Sequence, residues 1–202
     1  MASGGGSNFQ AIHDRIADGS LPGVSVEFLL SNNSTCGAVT NARSSGVRVY
    51  HVSSVTHPNE FDQAGAMVSI LKNHGVDLLV LAGYMKKVPD AVLNLLPNRV
   101  INIHPALLPS FGGPGHWGMR VHEALVQAGA RVSGPTVHFV DSIYDHGGII
   151  AQRAVPISSL DTPEDVAGKV LVQEHDLYWR VVKAFSEDVV IVKAGKIICD
   201  VT

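Results

Sequence analysis

The sequence predicts an α/β fold whose doubly wound, mostly parallel sheet carries antiparallel additions in the C-terminal part. Short runs of β-branched residues alternate with segments of helical period through the first half of the chain, the pattern of parallel strands joined by crossover helices. The second half instead places two extended stretches ahead of one long helix. Because 202 residues fit one hydrophobic core and no segment has the composition of a linker, we expect a single domain over 1–202.

The elements of the first half are assigned from their periodicity and their end signals. Helix one is expected over 9–18, where apolar residues recur at helical spacing between Asn8 as N-cap and Gly19 as stop. The β-branched runs predict strands at Val24–Leu30, Val47–Val52, Asp77–Ala82 and Val100–His104. Helices are expected between them at 36–45, 58–74 and 89–96.

Beyond the fourth strand the pattern changes to a loop rich in glycine and proline, Pro105–Gly118. We then expect a helix near 119–129, extended stretches at Val132–Val140 and Ile149–Ile157, and a long helix over Pro163–Phe185. Proline at the start of that helix suits its first turn. A hairpin of Val189–Lys193 and Lys196–Cys199, turning at Ala194-Gly195, is expected to close the chain.

The position of the glycine-rich loop is unusual for this fold class. Sheets of this kind place an apolar strand just before such a loop, yet Ser3-Gly4-Gly5-Gly6 follows Met1 after a single residue. The first strand is therefore missing from the pattern. We expect either that the natural chain begins upstream or that another segment or chain fills the gap.

The composition limits the partners and compartments of the protein. A net charge of -3, with scattered lysines and arginines, argues against nucleic acid as a partner. The longest apolar stretch, Val76–Met85, contains Asp77 and is far shorter than the ~20 residues needed to cross a membrane. Without an export signal, Cys36 and Cys199 are expected to stay reduced. We expect the cytoplasm, or an organelle interior if a transit peptide has been removed.

The segment Gly4-Gly5-Gly6-Ser7-Asn8 is a candidate phosphate-binding loop. Its backbone N–H groups and the positive end of the helix dipole suit an anion. Phe9 stands where both the dinucleotide fingerprint and the serine-hydrolase motif require glycine, and no Gly-Lys-Ser/Thr follows. A nicotinamide-dependent oxidoreductase is therefore disfavoured. The alternative for this segment is a flexible N-terminal tail.

Three polar residues are candidates for the chemistry. Asn102 and His104 lie at the carboxyl end of a predicted strand, where α/β sheets gather ligands, and their spacing turns both to one side. Asp145 lies in a turn, and beside His104 it would raise the pKa of the histidine and favour the imidazolium form. The alternatives are a structural histidine and a carboxylate that only caps its turn. No metal site is expected, because the ten histidines form no H-E-x-x-H motif and the cysteines no C-x-x-C motif.

Five motifs occur in order along the chain: Ser3–Asn8, Leu81–Met85, Asn102–Pro109, Ser133–Val140 and Gln173–His175. Together they closely resemble the phosphoribosylglycinamide formyltransferase family, also called glycinamide ribonucleotide transformylase. The resemblance covers nearly the whole chain and implies a Rossmann-like formyltransferase fold. It also implies that a formyl group passes from 10-formyltetrahydrofolate, the co-substrate, to the amine of glycinamide ribonucleotide in purine synthesis.

The resemblance further implies a role for individual residues of this sequence. The implied catalytic group is Asn102, His104 and Asp145, with Asn102 and His104 stabilising an oxyanion. The implied substrate-binding residues are Gly6, Ser7 and Asn8 at the phosphate and Glu174 on the nucleotide. The implied folate-binding residues are Met85, Lys86, Lys87, Val88, Asn102, Asp141, Ser142, Ile143, Tyr144 and Asp145.

Two departures from the family pattern leave alternatives open. Glu60 lies in the region where many family members carry an arginine that reaches the folate, and the next arginine is Arg99. With the first strand missing as well, a catalytically impaired binding protein is one alternative. A formyltetrahydrofolate hydrolase or a methionyl-tRNA formyltransferase is another, although both generally carry an extra domain. We expect a monomer or a homodimer.

Overall fold

The computed structural model describes residues 1–199 and 201, and the chain forms two compact units, Met1–Ile101 and Asn102–Thr202. The first unit contains α1 (Ser7–Ala17), β1 (Leu29–Ser31), α2 (Gly37–Ser44), β2 (Val49–His51), α3 (Glu60–Asn73), β3 (Leu79–Leu81), α4 (Asp90–Leu95) and the start of β4 (Val100–His104). The second contains the end of β4, α5 (Met119–Gln127), β5 (Val132–Ser133), β6 (Thr136–Phe139), β7 (Ile149–Gln152), β8 (Val155–Pro156), α6 (Pro163–Ser186), β9 (Ile191–Lys193) and β10 (Lys196–Ile198). This order confirms the predicted α/β class.

The first unit is built on parallel strands. β1 pairs with β2 in parallel, with Leu29 opposite Val49, and α2 follows β1 along the chain. Leu79 at the start of β3 donates its backbone N–H to the carbonyl of Arg99, just before β4 begins, at 2.8 Å. All three residues of β1 are buried, so the strand does not alternate between buried and exposed positions.

The first three residues lie where the missing strand was expected. Ala2 donates its backbone N–H to Leu30 on β1 at 3.1 Å, and Ala82 after β3 donates to Met1 at 2.8 Å. The Met1 amine donates to the carbonyl of Val80 on β3. Met1 and Ala2 are both buried. The segment that leads into the glycine loop is therefore bonded to β1 on one side and to β3 on the other.

The second unit carries the antiparallel additions that the sequence predicts. β7 pairs with β6, and β8 pairs with β5, both antiparallel. β9 and β10 form the predicted hairpin, and both Ala194 and Gly195 at its turn have positive φ angles, of 50° and 76°. A buried apolar cluster includes residues of α5 and α6 and is formed by Ala106, Val121, Leu125, Ile157, Val166 and Val170.

Several predicted bounds need correction. α1 begins at Ser7 with Gly6 as its N-cap, not Asn8. The expected strand Val24–Leu30 is reduced to Leu29–Ser31, because β-branched residues form a ladder only where a neighbouring strand pairs with them. The expected stretch Val132–Val140 is interrupted at Gly134-Pro135, where proline has no N–H to donate.

Within the described residues, no helix combines the length and the apolar composition that crossing a membrane requires.

Candidate functional site

The glycine loop of the first unit ends directly at a helix N-terminus. Gly6 has a φ angle of 83° and caps α1, whose first turn contains no acidic residue. The N–H groups of a first helical turn have no partner within the helix and point toward the capping end. Ser7 is exposed there, and Asn8 is half-buried. This arrangement suits an anion.

Close packing fixes the shape of the glycine loop. A Cβ atom on Gly6 would lie 2.5 Å from Cα of Ala38, the second residue of α2. Ala38 also donates its backbone N–H to the carbonyl of Gly4 at 3.0 Å. Only glycine fits at position 6, and the loop is thereby held against the start of a second helix.

The segment expected to contact the folate in the first unit follows β3. Met85, Lys86 and Lys87 are exposed and Val88 is buried. Gly83, two residues before Met85, has a φ angle of 78°, so the chain turns as it leaves the strand.

In the second unit, the three candidate catalytic residues come together. The Nδ1 atom of His104 lies 3.5 Å from Oδ2 of Asp145. The Nδ2 atom of Asn102 lies 3.1 Å from Nε2 of His138. The same Nε2 atom of His138 lies 3.6 Å from Oδ1 of Asp145. Asp145 therefore stands between two imidazoles, and Asn102 joins the group through His138.

His138 is the residue of this cluster that the sequence reasoning missed. It belongs to one of the motifs that carry the resemblance, but neither that motif nor its spacing indicates a role for it. It lies on β6, which is the neighbour of β4 in the sheet, and it is only 2% exposed. The only signal available in the sequence was its place in the motif Ser133–Val140, because the pairing of β6 beside β4 cannot be read from the local sequence.

The turn that carries Asp145 holds the carboxylate in an unusual backbone conformation. Asp145 has a φ angle of 53°, which aspartate tolerates better than most residues but which is still uncommon. Its Oδ2 atom accepts a hydrogen bond from the backbone N–H of Gly113 at 2.9 Å. Backbone strain of this kind is concentrated at functional sites, where the surrounding structure imposes it.

The pKa of His104 is shifted in the direction opposite to the one expected. Burial lowers the pKa of His104 below the usual range of a histidine, although Asp145 and the hydrogen bond to Phe111 both act to raise it. The side chain is only 4% exposed, so the charged ring loses most of its hydration. The expectation of a raised pKa at His104 is therefore wrong in its direction, because desolvation outweighs the nearby carboxylate.

The hydrogen-bond partners define the neutral forms of both rings. In His104, Nε2 donates to the carbonyl of Phe111 at 2.8 Å, which leaves the Nδ1 lone pair facing Asp145. In His138, Nδ1 donates to the carbonyl of Phe139 at 2.7 Å, so Nε2 accepts the N–H of Asn102. Burial also lowers the pKa of His138. A neutral His138 thus fixes which way the Asn102 amide points.

The remaining predicted site residues of the second unit lie on the turn that leads to Asp145 and on α6. Asp141 accepts the backbone N–H of Ile143 at 2.8 Å and a hydrogen bond from Nδ1 of His146 at 2.8 Å, while Ser142, Ile143 and Tyr144 are exposed. Glu174 is buried on α6 at 7% exposure. Glu60, the residue in place of an expected arginine, is exposed in the first turn of α3.

Among residues 1–199 and 201, no group of three or more histidine, cysteine, aspartate or glutamate side chains is arranged to hold a metal ion.

Comparisons with known proteins show which proteins this chain is similar to. The formyl transferase family model matches residues 1–182. A chloroplastic phosphoribosylglycinamide formyltransferase from Arabidopsis thaliana is 46% identical over 93% of this chain, which spans 64% of that relative's length. The phosphoribosylglycinamide formyltransferase of Bacillus subtilis is 34% identical, with 91% of each chain covered. A crystal structure of glycinamide ribonucleotide transformylase 1 from Symbiobacterium toebii superposes with a TM-score of 0.90 at 36% identity, covering 98% of this chain and 92% of that one.

Proposed function

Because the chain belongs to the formyl transferase family, we propose that it transfers a formyl group from 10-formyltetrahydrofolate to the amine of glycinamide ribonucleotide in purine biosynthesis. The observation that carries this proposal is the cluster of Asn102, His138, Asp145 and His104 at the end of β4 and β6. Its amide can donate to an oxyanion, and its imidazoles and carboxylate can take up and return protons, which are the functions that acyl transfer to an amine uses. The names of the relatives support the substrate assignment.

The proposed reaction needs no covalent enzyme intermediate. The neutral amine attacks the formyl carbon, and the carbonyl oxygen gains negative charge as a tetrahedral intermediate forms. Asn102 has one N–H engaged by His138 and a second N–H that we assign to this oxyanion. The bond between the formyl carbon and the folate nitrogen then breaks, and that nitrogen must leave with a proton.

We assign the proton transfers to the His104 and Asp145 pair. The attacking amine loses a proton as it forms its bond, and the His104 Nδ1 lone pair beside Asp145 is a base suited to receive it, through a water where the distance requires one. Once protonated, the ring is paired with Asp145 and its positive charge stabilises the oxyanion. The same proton is then returned to the folate nitrogen, so that the catalytic group ends as it began.

The two substrates are assigned to separate groups of residues. In the first unit, Gly6, Ser7 and Asn8 are proposed to hold the ribonucleotide phosphate, supported by the glycine cap and the helix N-terminus. The segment Met85–Val88 is proposed to bind the folate through its backbone. In the second unit, Asp141–Asp145 is assigned to the folate and Glu174 to the nucleotide, by resemblance to the family.

Three broader expectations remain proposals. We propose a single domain over 1–202, supported by a family match that runs through both compact units. We propose the cytoplasm or an organelle interior as the compartment, and the chloroplastic relative supports the second. We propose a monomer or a homodimer, which sedimentation velocity would distinguish.

The test is the release of tetrahydrofolate by the purified protein, followed by absorbance with and without glycinamide ribonucleotide. We expect turnover only with the ribonucleotide present. Asp145→Asn should lower kcat by about 100-fold or more, the usual effect of losing a group that acts in proton transfer. Asp14→Asn, which changes an exposed carboxylate on α1, is the control and should retain the wild-type rate. Turnover without the amine would identify a hydrolase, and no turnover in either case would identify an inactive relative.

A further inference from the structure

The side chain of Ser3 joins three segments of the first unit. Its hydroxyl accepts a hydrogen bond from the backbone N–H of Met85 at 2.9 Å. The same hydroxyl donates to Oδ1 of Asn32, in the loop that follows β1. Ser3 itself leads directly into the glycine loop. One half-buried hydroxyl is therefore bonded to the segments after β1 and β3 and covalently linked to the candidate phosphate loop.

The chemistry of this position is specific. A hydroxyl supplies one donor and up to two acceptor sites, and here it uses a donor toward Asn32 and an acceptor toward Met85. Donation to Asn32 fixes the rotation of the hydroxyl, so that a lone pair is left facing the Met85 N–H. Alanine supplies neither function, whereas threonine supplies both.

The neighbouring bonds are made by the backbone and do not depend on the side chain. Ser3 donates its own N–H to the carbonyl of Gly83 at 2.9 Å, and Ala82 donates to the carbonyl of Met1 at 2.8 Å. These two bonds hold the chain as far as Gly83. Beyond Gly83, whose φ angle is 78°, the hydroxyl of Ser3 is what holds the Met85 N–H in place.

We propose that Ser3 is a positioning residue for folate binding, which sets the place of Met85 and the exposed backbone that follows it. This proposal rests on the proposed function, because it takes Met85–Val88 to be the folate-contacting segment. Removing the hydroxyl leaves the strand bonds intact but releases the start of that segment. The affinity for the folate should fall, while the groups at the end of β4 are unchanged.

The experiment compares the wild type with Ser3→Ala, Ser3→Thr and Ser34→Ala, an exposed serine in the loop after Asn32 that serves as the control. We expect Ser3→Ala to raise KM for 10-formyltetrahydrofolate about fivefold to tenfold, the net effect of one hydrogen bond. The KM for glycinamide ribonucleotide and kcat should change less than about twofold on the same reasoning. Ser3→Thr should restore the folate KM, and Ser34→Ala should match the wild type.

Calorimetric titration with tetrahydrofolate provides a readout that does not depend on turnover. Weaker folate binding by Ser3→Ala, restored in Ser3→Thr, supports the proposal even if the wild type proves inactive. An unchanged folate affinity in Ser3→Ala overturns it, and so does a loss of melting temperature without any change in folate binding. Wild-type protein that binds folate but transfers no formyl group contradicts the proposed function instead.

Discussion

Replacing Gly6 with alanine tests directly whether the close packing of the candidate phosphate loop against Ala38 requires glycine. The new Cβ would lie 2.5 Å from Cα and 2.8 Å from Cβ of Ala38, so α2 or the loop must shift. The φ angle of 83° adds the left-handed penalty of about 1–2 kcal/mol. Overpacking against a backbone typically costs about 1–3 kcal/mol. The free energy of unfolding should therefore fall by about 2–5 kcal/mol.

Gly19→Ala is the matched control for this substitution. Gly19 has a φ angle of 79°, almost that of Gly6, but nothing lies within 4 Å of its Cβ position. The Gly19→Ala substitution should therefore lower the free energy of unfolding only by the conformational penalty, about 1–2 kcal/mol. Urea unfolding of both variants gives the difference between their free energies of unfolding. In addition, the KM for glycinamide ribonucleotide should rise at least tenfold in Gly6→Ala but not in Gly19→Ala. Equal stability of the two variants, together with an unchanged KM in Gly6→Ala, would refute the reasoning.

Two further predictions concern the buried histidines. Burial lowers the pKa values of His104 and His138, so the unfolded chain binds more protons than the folded protein in mildly acidic solution. The free energy of unfolding should therefore decline as the pH falls below about 6.5, by at most ~1.4 kcal/mol per pH unit for each ring. Urea unfolding between about pH 8 and pH 5 checks this, and a rise in stability toward acid pH would contradict it. His138→Phe should lower kcat about tenfold, because the variant loses the hydrogen-bond acceptor that orients the Asn102 amide, at a cost of about one hydrogen bond. Steady-state kinetics measure this effect. An unchanged kcat in a folded variant would show that His138 does not orient the amide.

The sequence predicted the class of the fold and the order of its elements well. Periodicity located α6 almost to the residue, since Pro163 and an apolar face mark it clearly, and β4 was predicted with its observed bounds. The bounds of β1 were less well predicted. A β-branched run records a preference for extended structure, but hydrogen-bonded pairing depends on a neighbouring strand that the local sequence does not contain.

The sequence indicated three of the four residues that come together in the candidate cluster, but neither His138 nor the electrostatics of the cluster. Alternation along β4 indicated that Asn102 and His104 share a side. It could not show that His138 would lie between Asn102 and Asp145, because that depends on which strand is the neighbour of β4. Nor could it give the sign of the pKa shift at His104, since burial and the nearby carboxylate act in opposite directions and only coordinates show which is larger.

The central claim is that His104 and Asp145 act as one catalytic pair, and a double-mutant cycle on kcat/KM for formyl transfer tests it most directly. His104→Asn and Asp145→Asn, each alone, should reduce kcat/KM by about 100-fold or more. If the two groups move the same proton, the double variant should be no slower than the slower of the two single variants. Losses that multiply in the double variant would contradict the account, because the two side chains would then act independently.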